Sequence, residues 1–224
     1  MDPQTLAANL QRIQQGIPAG VEIMAVSKGV APEVMRWAYE LGLRHFGESR
    51  VQEAAQKRKA LADLGDMVWH LIGHLQTNKI APALEIFDWI DSVDSLRLAK
   101  LLDQKAAQRG RVVPVCLQVK LAPDPDKYGW EVEDLLAALP ALQSLDHLAV
   151  QGLMTILPLG LDPAGIQATF ARLPPLAEQI RQQTGWPLPV LSMGMSGDYL
   201  QAVECGSTLI RLGRSLFGER SPSP

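Results

Sequence analysis

The stretch Val21-Glu22-Ile23-Met24-Ala25-Val26-Ser27-Lys28-Gly29-Val30-Ala31-Pro32 decides how the chain reads. An apolar run ends in A-V-S-K and is followed at once by Gly29 and by Pro32, a residue suited to the first turn of a helix. The pattern predicts a strand over Val21 to Lys28 with a lysine at its tip, then a helix from Pro32. Period-two alternation puts Met24, Val26 and Lys28 on one face of the strand.

Working outward, the same alternation recurs. Before the strand, Asp2-Pro3 opens a helix carrying Leu6, Leu10, Ile13 and Ile17 at helical spacing, with Gly16 at its end. After it, further strands are predicted at 44–47, 68–73, 87–93, 112–119, 148–154, 189–192 and 208–212. Helical material follows each one. Prolines predict two interruptions: one near Pro140 in the helix 131–142, the other at Pro174-Pro175 in the helix 164–183. Eight strands, each followed by a helix or turn, is the pattern of a TIM (β/α)8 barrel. An open doubly wound sheet has the same alternation and is the alternative. The barrel accounts for residues 1–220 as one domain, and 221–224 is expected to be a disordered tail.

Composition narrows the function. The chain has 224 residues and a formal net charge of −3, so it carries no electrostatic footprint for nucleic acid. The longest apolar stretch, Leu148 to Leu161, is broken by Gly152, Pro158 and Gly160, which argues against a membrane span. The N-terminus lacks the charged and apolar regions of a signal peptide. Cys116 and Cys205 are far apart and have no metal-ligand spacing, so a cytoplasmic location is expected. His45, His70, His74 and His147 also lack ligand spacing and read as structural.

In a barrel, chemistry sits at the C-terminal ends of the strands. There the sequence places Lys28, Glu48-Ser49, His74, Met154-Thr155, Ser192 to Ser196 and Arg211 to Arg214. Lys28 alone reads as a solvated lysine. To act as a nucleophile it needs surroundings that release its proton. The segment Leu191 to Gly218 says more. Its glycines and hydroxyls permit close backbone approach, and the amides of Gly213 and Arg214 precede a helical turn where a phosphate dianion can bind. Arg211 shares a strand face with Leu209 and Gly213 and is expected to point inward, where it needs a partner, either a carboxylate such as Glu48 or a pyridine nitrogen.

The motifs A-V-S-K-G-V (25–30), H-F-G-E-S-R-V-Q-E (45–53), W-H-L-I-G-H-L-Q-T-N-K (69–79), G-L-M-T-I (152–156), L-S-M-G-M-S-G-D (191–198) and G-S-T-L-I-R-L-G-R-S-L-F-G (206–218) occur in this order. Together they resemble the YggS/PROSC family of pyridoxal phosphate homeostasis proteins, across Val21 to Arg220. The compact length is similar to bacterial members, including the cyanobacterial branch called PipY. The resemblance implies a fold-type III barrel like the N-terminal domain of alanine racemase, with pyridoxal 5′-phosphate (PLP) as cofactor. It implies that Lys28 forms the covalent aldimine and that Arg211 faces the pyridine nitrogen. Ser192, Met193, Ser196, Gly213 and Arg214 then surround the phosphate, while Ser49 and Met154 lie near the ring. Three positions depart from the family pattern: Ser49 replaces an asparagine, Asp91 a histidine, and Arg214 a small residue.

The implied function is cofactor buffering or delivery without catalysis, by a monomer whose partners are PLP and PLP-dependent apoenzymes. Racemase-like catalysis and a PLP-sensing interaction protein are the rival readings. A cofactor-free barrel acting on phosphate metabolites is the remaining alternative.

Overall fold

A computed structural model describes residues 1–219, so the tail expected at 221–224 lies outside the described residues. Eight parallel strands close into a barrel in sequence order. They are β1 (Glu22–Val26), β2 (His45–Glu48), β3 (Val68–Leu71), β4 (Trp89–Val93), β5 (Val113–Gln118), β6 (Leu148–Met154), β7 (Val190–Ser192) and β8 (Leu209–Leu212). Closure comes from β1 pairing with both neighbours, Met24 opposite His45 on β2 and Arg211 on β8. The open sheet is thereby excluded.

The helices are α1 (Pro3–Gln15), α2 (Pro32–Glu40), α3 (Val51–Ala60), α4 (Ile80–Ile86), α5 (Leu96–Ala107), α6 (Val132–Gln143), α7 (Pro163–Phe170), α8 (Leu173–Thr184), α9 (Tyr199–Glu204) and α10 (Arg214–Phe217). Local chemistry sets several of their ends. The Asp2 side chain caps α1 by accepting from the Thr5 amide at 2.9 Å, and Ser95 caps α5 through the Leu98 amide. α1 buries Leu6, Leu10 and Ile13 and packs against α2 and α10.

Both proline expectations need correction. α6 runs unbroken through Pro140. The exposed Pro140 leaves Leu135, Leu139 and Leu142 buried on one face. Burying those leucines contributes about 1.5–3 kcal/mol each, enough to offset the roughly 3 kcal/mol cost of an interior proline. The helix expected at 164–183 does break, but at Ala171-Arg172. Pro174 and Pro175 sit in the first turn of α8, where a missing N–H costs little.

β1 also stops two residues short of Lys28. Ser27 to Val30 form a turn closed by the Val30 amide donating to the Ser27 carbonyl at 2.8 Å. Gly29 takes φ +70°, the left-handed conformation that glycine adopts without a side-chain penalty. Lys28 therefore stands at a turn corner on the strand tip.

Candidate functional site

The turn carrying Lys28 rests on a buried charge cluster. Glu48 ends β2 and is fully buried, while Lys57 projects from α3 and is 6% exposed. The Lys57 ammonium donates to Glu48 Oε1 at 2.8 Å, Glu53 Oε1 at 2.6 Å and the Ser27 carbonyl at 2.7 Å. The Ser27 hydroxyl donates to Glu48 Oε1 at 2.7 Å, and the Gly29 amide donates to Glu53 Oε1 at 2.5 Å. Burial pushes the Glu48 carboxyl above its ordinary range, against the pull of Lys57. Its Oε2 has no hydrogen-bond partner among the described residues.

Above this cluster lies a cleft of about 580 Å³ at the C-terminal end of the barrel. Lys28, Ser49 and Gly73 line one part of it, and Ser196, Gly213 and Arg214 another. Gly73 is dictated by close approach, since a Cβ there would lie 2.4 Å from the Ser49 carbonyl oxygen. Across the cleft, the Ser196 hydroxyl accepts from the Ser215 amide at 3.0 Å, and the Ser215 hydroxyl donates to the Ser196 carbonyl at 3.2 Å. The loop after β7 is thus fastened to the first turn of α10.

Arg211 reaches the cleft from β8 although only 3% of it is exposed. Its guanidinium donates to Ser192 Oγ and to the Thr155 carbonyl, each at 2.7 Å. Glu48 is not its partner; that carboxylate is held by Lys57 and Ser27. Burial lowers the Arg211 pKa, and the charges of Asp91 and Asp198 oppose that shift. A guanidinium stays protonated under such conditions.

A polar chain fills the barrel interior. His45 Nδ1 lies 2.9 Å from His70 Nε2, and His70 Nδ1 lies 2.8 Å from Asp91 Oδ2. With the Asp91 carboxylate as acceptor, His70 donates from Nδ1. Trp89 stacks on His70 with ring centroids 5.4 Å apart. His74 lies elsewhere, bonded to Asp94 and stacked on Tyr128. No group of three or more His, Cys, Asp or Glu able to hold a metal occurs among the described residues.

Six expected site residues line the cleft: Lys28, Ser49, Ser196, Arg211, Gly213 and Arg214. Met154, Ser192 and Met193 are fully buried and are absent from its wall. Ser192 instead orients Arg211, and Met193 belongs to the hydrophobic core. Sequence reasoning missed Glu53 and Lys57, whose only signal is an i,i+4 acid–base spacing shared by many solvated helices. It also missed Ile72, Ile156 and Leu159 in the cleft wall, apolar residues whose type gives no sign of a binding role.

The chain has relatives of known sequence and structure. The alanine racemase N-terminal domain family matches residues 1–221. A protein of Synechocystis sp. named pyridoxal phosphate homeostasis protein is 48% identical over 204 residues, 91% of this chain and 94% of its own. The chain belongs to the pyridoxal phosphate homeostasis protein family. PipY of Synechococcus elongatus, solved with PLP bound, is 48% identical and superposes with a TM-score of 0.90 over 95% of this chain and all of PipY. Alanine racemase of Clostridium difficile superposes with a TM-score of 0.82 over 98% of this chain and 60% of its own, at 16% identity. That last likeness is one of fold alone. Within the homeostasis family fold, no helix among the described residues is long and apolar enough to cross a membrane.

Proposed function

We propose that this protein binds pyridoxal 5′-phosphate and serves PLP homeostasis, holding the cofactor and releasing it to PLP-dependent apoenzymes. The observation that carries this reading is the pairing of Lys28 at the tip of β1 with Arg211 and the Gly213-Arg214 backbone at the tip of β8, in one cleft. The donor set suits the cofactor: an amine for its aldehyde, backbone amides and a hydroxyl for its phosphate, and a buried guanidinium for its ring nitrogen. PLP brings an aldehyde carbon to which an unprotonated amine adds, with loss of one water.

In this reading Lys28 would be the covalent anchor, holding the cofactor's aldehyde carbon through a Schiff base. Ser196, Gly213 and Arg214 hold the phosphate. Ser49 stands beside the ring, with Met154 and Met193 packing behind the site. Ser192 and Thr155 aim Arg211 at the ring nitrogen. A permanently charged donor there disfavours protonation of the ring and weakens the electron withdrawal that PLP catalysis uses. None of Tyr39, Tyr128 and Tyr199 lines the cleft, so no tyrosine is placed as a second proton-transfer group. Both features favour a carrier over a racemase. Relatives named as homeostasis proteins support the same choice. The two free cysteines suit a reducing cytoplasm, and the protein is read as acting as a monomer.

The test is borohydride reduction of PLP-treated protein followed by peptide mass analysis. A pyridoxyl adduct on Lys28 that is absent from Lys28→Ala supports the reading. An adduct of equal yield in Lys28→Ala sinks it. Amino-acid racemisation by purified protein, lost with Lys28, would favour the enzyme instead.

A further inference from the structure

We propose that Lys57 is the positioning residue for Lys28, a role that rests on reading Lys28 as the cofactor's anchor. A lysine on a turn corner has two sources of disorder, its backbone and its side chain. The backbone of this turn is tied on both sides to one buried ammonium. The peptide carbonyl before Lys28 belongs to Ser27 and accepts directly from Lys57 Nζ at 2.7 Å. The peptide N–H after Lys28 belongs to Gly29 and donates to Glu53 Oε1, the oxygen that Lys57 also holds at 2.6 Å. The Ser27 side chain is fixed through Glu48 Oε1, again a Lys57 partner.

The ammonium has three protons and three acceptors here, so every donor is used. Lys57 therefore cannot swing into the cleft as a second nucleophile. It serves as a fixed post. The arrangement exceeds what holding α3 against the barrel requires. Glu48 and Lys57 are both buried at a desolvation cost, and Glu48 Oε2 is left without a partner. A hydrophobic pair of similar volume would pack α3 without that cost. What it could not do is hold the carbonyl and the amide that flank Lys28. The Lys28 side chain lines the cleft, and the backbone on either side of it is set by this network. Placement of the reacting amine governs how readily it meets the aldehyde, and misplacement by about 1 Å can cost on the order of a hundredfold in rate.

Two measurements on the full-length protein test this. The first needs no cofactor: amide hydrogen exchange at Gly29. Lys57→Met should speed exchange there about tenfold or more while leaving β5 and β6 protected. The second is the rate at which PLP forms the borohydride-reducible adduct, expected to fall about tenfold or more in Lys57→Met. If Lys57→Met fails to fold, Glu48→Gln combined with Lys57→Met removes both buried charges and takes its place. Glu53→Ala should slow adduct formation as well, and Glu53→Gln, which keeps an acceptor for Gly29, should recover most of that loss. Folded Lys57 variants with wild-type exchange at Gly29 and wild-type adduct rates overturn the proposal. Wild-type protein that forms no adduct overturns the reading of Lys28, and Lys57's part in it, even where Gly29 exchange responds.

Discussion

His70 and Asp91 face each other inside the barrel, with Nδ1 and Oδ2 2.8 Å apart and neither residue more than 1% exposed. The other Asp91 oxygen has no hydrogen-bond partner among the described residues. Asp91 thus anchors the polar chain from His45 inward, and it is a negative charge acting on Arg211. Burial, reinforced by Asp91, also raises the Cys116 thiol pKa well above its usual value. Asp91→Ala should leave His70 Nδ1 without its acceptor and remove one of the two carboxylate charges that act on Arg211. A loss of about 3–5 kcal/mol is expected, read as a lowered urea midpoint at unchanged slope. A loss under about 1 kcal/mol would mean that water or a shifted neighbour replaces the carboxylate.

The partly exposed end of this chain makes stability depend on pH. Burial, then the neighbouring His70, lowers the His45 pKa, so the folded state resists protonating it. The unfolded chain binds that proton more readily. The stability in question is present above the ordinary histidine value of about 6.5 and is lost as pH falls through the lower folded value. Glu48 works the other way, because its raised folded pKa favours the native state in acid. Urea titrations at stepped pH below about 6.5 should show wild-type stability falling and His45→Gln flatter over the same interval. Equal slopes would place the titration elsewhere.

Arg211 makes two directed donations, to Ser192 and to the Thr155 carbonyl. Lysine carries the charge but lacks the planar fork. Arg211→Lys should leave a buried acceptor unmet and weaken PLP binding about tenfold to a hundredfold, since charged hydrogen bonds contribute about 1.5–3 kcal/mol. Fluorescence titration with PLP measures this. Unchanged affinity would separate Arg211 from the cofactor.

Pro140 lies in α6 without breaking it. Alanine would restore a donor to the Leu136 carbonyl and remove the ring clash. Pro140→Ala is expected to stabilise the fold by about 1–3 kcal/mol, seen as a higher unfolding midpoint. A drop would mean that the proline limits the unfolded chain more than it strains the helix.

Sequence periodicity alone determined the order of strands and helices, the lysine at the tip of β1 and the glycine- and hydroxyl-rich segment leading to Arg214. These are local properties, written in the spacing of apolar residues and in turn-forming glycines. Only the tertiary structure decided which polar groups meet. Arg211 found Ser192 and Thr155 and not Glu48, because the pairing of β7 with β8, Ser192 opposite Leu209, brings those partners to it. Lys57 reads as a surface lysine on α3 until the β2–α3 connection turns it under the Lys28 turn. Met154 and Met193 sat at the right strand ends, yet barrel packing buried them. Burial and pairing depend on strands far apart in sequence, and spacing along one strand carries no record of them.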